Sequence, residues 1–457
     1  MYRKNIYYDI SASKKKEIDA FCNDYKDFLS SSKTERLAVA EIEKIAISKG
    51  FKPFLHISDL RAGAKIYFIN RHKNIVLFRL GNRKLTDGLK ILAAHIDSPR
   101  LDVKPNPIIE SNEFVLFDTR YYGSIKNYQY VTIPLALHGV VYKKDSSHID
   151  ICIGEDAADP IIGITDLPIH LAGDQIQKTG EKVIEGEDLD VLVGSALYTE
   201  FAQEQARANI LKILKNKYNF GEEDFLSAEL EVVPAGRARD FGLDRSMIAG
   251  YGQDDRSCAY AILRAITDID DTDNNVCAVF ADKEEVGNLC ASGAESVFFE
   301  NTLLSLLNIN RQGDLYSLRT TLENSYMIVC DSSAAIDPIY GNASDSNNGA
   351  KFNYGIVLEK HIGTSGKFGA NDANPEFVAM LRNLLDEYKL HYQPGEIGRV
   401  DRGNGGTFSY IAARYNMDVI DSGITVLNMH SPMEIISKAD LYEAYLFYKG
   451  FLLIENI

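Results

Sequence analysis

Five short stretches place ionisable side chains beside apolar runs, and each has a structural as well as a chemical reading. In Leu92-Ala-Ala-His95-Ile-Asp97 an apolar run delivers an imidazole. Two residues on stands a carboxylate able to hydrogen-bond the other ring nitrogen and hold the metal-binding tautomer. A lone histidine after a strand is more often structural. Gly252-Gln-Asp254-Asp255-Arg256 precedes Ala259, Ile262, Leu263 and Ile266 at helical spacing, so Asp254 reads either as a helix cap or as a ligand. Asp282-Lys-Glu284-Glu285-Val286-Gly287 follows Val276 to Ala281. Its adjacent carboxylates repel, and a cation or a solvated turn would hold them together. Cys330-Asp331 follows Tyr326 to Val329, and Asn428-Met-His430-Ser431-Pro432 follows Asp421-Ser-Gly423. Together, two histidines and several carboxylates at separate strand ends suit two borderline divalent ions such as zinc, manganese or cobalt. A bridging carboxylate would hold such ions about 3.5–4 Å apart, and a spare glutamate would take and return a proton. Gly363-Thr-Ser-Gly366-Lys367-Phe368 lacks the spacing and hydroxyl of a phosphate loop, and neither HExxH nor a nucleophile elbow occurs.

Strand ends converge in an open sheet wound with helices, and the chain reads that way. Ser13 to Gly50 reads as two helices, starting near Ser13 and Ser32. Apolar strands follow at Lys65 to Asn70, Asn74 to Leu80 and Lys90 to Ala94. From Leu101 to Pro234 the texture changes to short β runs (Val131 to Tyr142, Ile149 to Ile153) with a helix over Leu197 to Lys217. Alternation then resumes: helix Arg256 to Ile269, strand Val276 to Ala281, helical Leu303 to Leu307, strand Tyr326 to Cys330, helix Asn374 to Tyr388, strand Met417 to Ile420 and helix Lys438 to Glu455. The expectation is a discontinuous catalytic domain, 1–100 and 235–457, interrupted by a β-rich insert, 101–234. A chain of 457 residues exceeds one usual core, and 45% hydrophobic with 25% charged residues is a globular composition. The net charge of −16 disfavours nucleic acid and serves solubility. Cys22, Cys152, Cys258, Cys277, Cys290 and Cys330 form no CxxC pair. With no signal-like or membrane-length apolar stretch, a cytoplasmic protein without membrane partners is expected.

The order HID, QDDR, DKEEVGN, CDSS, NMHSPME resembles the aspartyl aminopeptidase (aminopeptidase I) family of two-metal exopeptidases over essentially the whole chain. The resemblance implies a zinc-exopeptidase-like α/β fold, a mostly parallel sheet sandwiched by helices, with the insert as a dimerisation domain. It implies a metallo-aminopeptidase acting on peptides with two divalent ions, zinc first and manganese or cobalt as alternatives. The implied ligands are His95, Asp254, Glu285, Asp331 and His430, with Asp254 bridging; Glu284 is the implied general base and Asp97 orients His95. His170, in Thr165-Asp-Leu-Pro-Ile-His170, resembles the histidine that reaches a neighbouring subunit's site, and the implied assembly is a dodecamer built from dimers. Two positions depart from the acid-specific pattern. Ala334 stands where a histidine is usual, and Glu359, in Gly355-Ile-Val-Leu-Glu359, stands where a lysine is usual. Glu359 is therefore expected to contact substrate and to favour basic or neutral N-termini. The competing expectations are a two-metal deacylase or carboxypeptidase, which would need a cationic clamp, and a catalytically dead oligomeric scaffold.

Overall fold

The computed structural model describes residues 4–57, 59–198, 204–363, 365–369, 371–403 and 405–454. Its chain divides into two compact units, one of residues 1–97, 238–429 and 434–457 and one of 98–237 and 430–433. The larger is an α/β unit around a nine-stranded sheet. The order is Lys52–Pro53, Lys65–Asn70, Asn74–Arg79, Val276–Ala281, Lys90–His95, Tyr326–Cys330, Asp418–Gly423, Ile356–Glu359, Tyr392–Pro394. Five of its eight neighbour pairings are parallel, including the four central strands from Val276–Ala281 to Asp418–Gly423.

Those strands read as unbroken apolar runs because both faces are covered. In Lys90–His95, Leu92 and Ala94 enter one core and Ile91 and Ala93 the other. Helices Ala12–Ser31, Glu35–Ser48, Gln253–Asp268, Pro375–Glu387 and Lys438–Leu453 supply the first core. Phe298–Ile309, Leu315–Glu323 and Ser409–Ala413 supply the second. A five-stranded sheet, Arg239–Phe241, Met247–Gly250, Glu434–Ser437, Thr425–Leu427, Ser333–Ala334, completes this unit.

Several local expectations need correction. The first two helices are capped by Ser11 and Thr34, whose hydroxyls accept from the N–H groups of Lys14 and Leu37, rather than by Ser13 and Ser32. Helix Leu315–Glu323, capped by Asp314, was not anticipated. The helix expected from Leu197 spans Gln205–Tyr218; part of its expected start, 199–203, lies outside the described residues, as does Glu455.

The smaller unit is a six-stranded, wholly antiparallel sheet, ordered His148–Ile153, Leu135–Tyr142, Ala228–Pro234, Arg100–Ser111, Phe114–Tyr122, Val191–Gly194. Its register breaks between Val103 and Ile108, where Pro105 and Pro107 lack the N–H a ladder needs. Ala206, Ile210 and Leu214 of the helix join its core. Among the described residues no helix is long and apolar enough to cross a membrane, and the six cysteines are unbridged.

Candidate metal centre

Three central parallel strands end in ionisable residues: His95 closes Lys90–His95, Asp282 follows Val276–Ala281 and Asp331 follows Tyr326–Cys330. His95 is buried. Its Nδ1 lies 3.0 Å from the Asp97 carbonyl oxygen and 3.3 Å from the Asp97 carboxylate. Both are acceptors, so Nδ1 carries the proton and Nε2 the lone pair. That lone pair faces Asp254 Oδ1 at 3.3 Å and Asp331 Oδ1 at 3.6 Å. A lone pair opposed to carboxylate oxygens demands a positive charge between them, either a proton or a metal ion.

Asp254 arrives on helix Gln253–Asp268. Its capping alternative fails, because Gly252 is the N-cap and Asp254 has non-helical angles (φ −82, ψ 107). The Gln253 and Asp254 N–H groups both donate to Glu434 Oε2, at 2.6 and 3.1 Å. Arg256, fully buried, donates from Nε to the Ile96 carbonyl and so ties the helix to the end of the His95 strand. Glu284 and Glu285 follow Lys283, whose positive φ (72) turns the chain. Their N–H groups donate to the two Asp97 carboxylate oxygens, each at 3.2 Å. Asp97 thus fixes both an imidazole and the paired glutamates. Gly423 lets Asp331 in: a Cβ there would stand 1.5 Å from the Asp331 carbonyl oxygen.

Ligating atoms within 4.8 Å of one another group His95 with Glu284 and Asp331, His95 with Asp254 and Glu285, and Asp254 with Asp255 and Asp331. Crowding marks the charges. Burial, then the Asp331, Asp97 and Asp254 charges, push Glu284 up to about 8 against the pull of His95. Burial and Asp254 push Asp331 up to about 6 although His95 opposes them, and burial with Asp331 holds Asp255 well above the ordinary carboxyl range. Burial disfavours a charged His95, but hydrogen bonds with Asp254, Asp331 and Asp97 raise it well above its ordinary value. Imidazole nitrogen and crowded carboxylate oxygens are the donor set a zinc-like cation takes, so the residues fit a metal.

Four expected ligands, His95, Asp254, Glu285 and Asp331, stand together with Glu284 and Asp97. His430 belongs to none of these groups. It lies in the 430–433 segment assigned to the smaller unit, its Nδ1 2.9 Å from the Ser124 carbonyl oxygen, which leaves Nε2 as its basic nitrogen. His170 is exposed in the loop between His148–Ile153 and Val191–Gly194. Glu359 is buried, accepting from Ser333 Oγ at 2.5 Å, and does not point to solvent. Asp255 and Glu434 were not foreseen, although both stand inside the motifs QDDR and NMHSPME.

Carboxylates and an imidazole gathered at the carboxyl ends of parallel strands define a metal-dependent α/β protein. The family model described as aminopeptidase I zinc metalloprotease (M18) matches residues 28–452, and the chain belongs to that family. A probable M18 family aminopeptidase 1 of Clostridium acetobutylicum is 46% identical over 454 residues, covering 98% of each chain. The crystal structure of the M18 aminopeptidase of Thermotoga maritima superposes with a TM-score of 0.96 at 41% identity, covering 99% of each chain. The S. cerevisiae mApe1 dodecamer shares the fold at 18% identity (TM-score 0.76; 95% of this chain, 97% of that one). The chain is accordingly a metallo-aminopeptidase, a hydrolase of the exopeptidase class.

Proposed function

We propose that this enzyme removes N-terminal residues from peptides with a two-ion centre held by His95, Asp254, Glu285, Asp331 and His430, Asp254 bridging. What carries the reading is the convergence of His95, Asp254, Asp331 and the Glu284–Glu285 pair, which supplies two overlapping ligand groups that share His95. His430 rests on the motif pattern, with the tautomer left by its bond to Ser124 in favour. Bound divalent ions, zinc in the first instance, would polarise the scissile carbonyl and acidify a water. Glu284 takes the water's proton and returns it to the leaving amine. Asp97 keeps the glutamate backbone and the His95 ring in place, and the surrounding carboxylates favour the substrate's α-ammonium.

Basic or neutral N-termini are the preferred substrates. A pocket for Asp or Glu must offset the desolvation of a carboxylate with cations or donors, and this chain has Ala334 and Glu359 at the two positions concerned. Ser333, beside Ala334 and two residues past Asp331, donates to Glu359, so both departures lie together. Burial, opposed by Ser333 and reinforced by Asp331, pushes Glu359 up to about 7. Its charge, and with it the preference for Lys over Leu, grows as pH rises through that value. The test is kcat/KM for Lys, Arg, Leu, Asp and Glu amides in wild type and Glu359→Lys. A wild-type preference for Asp overturns the proposal, and an unchanged profile in the variant removes Glu359 as selector.

The active form is a cytoplasmic homo-oligomer, a dodecamer built from dimers with His170 acting in a neighbouring site. In support, the loop that carries His170 exposes Ile161, Leu167, Ile169, Leu171 and Ile176, more apolar surface than a lone loop needs to show water. Light scattering should report many times 51.0 kDa. An active monomer would contradict it, as would failure of a His170→Ala and Glu284→Gln mixture to regain activity.

A further inference from the structure

The smaller unit holds a second set of reactive side chains that peptide hydrolysis does not use. Strands Leu135–Tyr142 and His148–Ile153 pair antiparallel in a register that sets His138 directly opposite Cys152. Directly opposed residues share a face, with Cβ atoms about 4.5–5.5 Å apart. Their neighbours Leu137 and Ile151 fill the core, so His138 and Cys152 take the other face. The ring is buried at 4% exposure, whereas Cys152 is exposed.

His138 Nε2 lies 3.0 Å from Glu155 Oε1, and Glu155 Oε2 accepts the Gly236 N–H at 3.2 Å. A carboxylate only accepts, so Nε2 carries the proton and Nδ1 is left as the base. Burial works against the charged form of the ring, but Cys152 and Glu155 beside it together raise it above the ordinary histidine value. On its other flank the ring's register partner is Glu231, itself engaged by Arg100 at 3.1 Å. Cys152, His138 and Glu155 are not among the groups whose ligating atoms all lie within 4.8 Å. The strand register and the His138–Glu155 contact set them in the order nucleophile, base and orienting carboxylate, the order in which a thiol is activated.

We propose that Cys152, His138 and Glu155 form a reactive-thiol site that takes hydroperoxides, converting Cys152 to a sulfenic acid. The sulfur attacks one peroxide oxygen, so an S–O bond forms and the O–O bond breaks. Sulfur loses the two electrons the peroxide gains, and the thiol proton passes through His138 Nδ1 to the departing alkoxide, or hydroxide in the case of hydrogen peroxide, which leaves as the alcohol or as water. The other exposed cysteine, Cys290, is the internal reference.

The test treats the full-length, metal-loaded protein with hydrogen peroxide and dimedone and reads each cysteine by peptide mass spectrometry. Cys152 should be trapped at least tenfold faster than Cys290, and His138→Gln should remove that excess. Aminopeptidase turnover, which neither His138 nor Glu155 serves, reports whether the variants fold. If His138→Gln does not fold, Glu155→Gln decides, with a threefold or greater slowing expected. Trapping of Cys152 no faster than Cys290, protection of Cys152 in the assembled protein, or an excess that survives the deciding variant overturns the proposal.

Discussion

Replacing Asp97 by Asn should weaken metal binding and slow turnover at once, because one buried carboxylate serves both. Its two oxygens accept the Glu284 and Glu285 N–H groups at 3.2 Å each, and it stands 3.3 Å from His95 Nδ1. An amide keeps one accepting oxygen and turns an NH2 toward the other N–H. One donor is then stranded at a fully buried position, at a cost of about 1–3 kcal/mol. At about 1.4 kcal/mol per tenfold, that corresponds to roughly a 5- to 140-fold loss of zinc affinity, which spans the roughly 10- to 100-fold typical of groups that orient ligands. The assay is the zinc dissociation constant by chelator competition, measured beside kcat at saturating zinc. Saturation should restore the metal but not the full rate, since the Glu284 backbone has also lost an anchor. A dissociation constant within twofold of wild type together with an unchanged kcat would refute the reasoning.

Glu284→Gln should keep its metal and fold while losing about 10²- to 10⁴-fold in kcat, since an amide cannot take the proton; near-normal turnover would remove it as base. Asp254→Asn and His430→Ala should each lower bound metal as well as rate, and unchanged stoichiometry in both would mean a different ligand set. The metal-stripped protein should lose stability as pH rises. Glu284, Asp331 and Asp421 sit at about 8, about 6 and about 8 when folded, above their ordinary carboxyl values, so the folded state holds protons the unfolded chain releases. Their contribution is complete below the ordinary carboxyl range and is lost progressively from there up to the folded values, that of Asp331 by about pH 6 and those of Glu284 and Asp421 by about pH 8. Melting temperature should fall across that window, zinc should flatten the slope, and a rise in the stripped protein would contradict the charge crowding.

The strands that carry the site were legible because burial on both faces writes them as unbroken apolar runs, and His95, Asp331 and the glutamate pair were legible as their immediate continuations. Helix starts were not, because SASKKK and SSSKTER each offer several hydroxyls and the choice of Ser11 and Thr34 depends on where the helix docks. Helix Leu315–Glu323 buries only Leu318, Thr321 and Leu322, too thin a stripe to read from periodicity. Glu434 and Asp255 escaped for a tertiary reason. Glu434 meets the Gln253 and Asp254 N–H groups only because strand Glu434–Ser437 pairs with Met247–Gly250, and Asp255 takes the Ser332 hydroxyl from another strand end.

A zinc titration of the chelator-stripped enzyme tests the central claim most directly, with turnover of a lysyl amide and of its Nα-acetylated twin followed at each addition. Activity on the free amine should be absent without metal and complete at two equivalents per chain, with the acetylated twin uncleaved throughout. Full activity at one equivalent or none, or equal cleavage of the acetylated amide, would contradict a two-ion aminopeptidase.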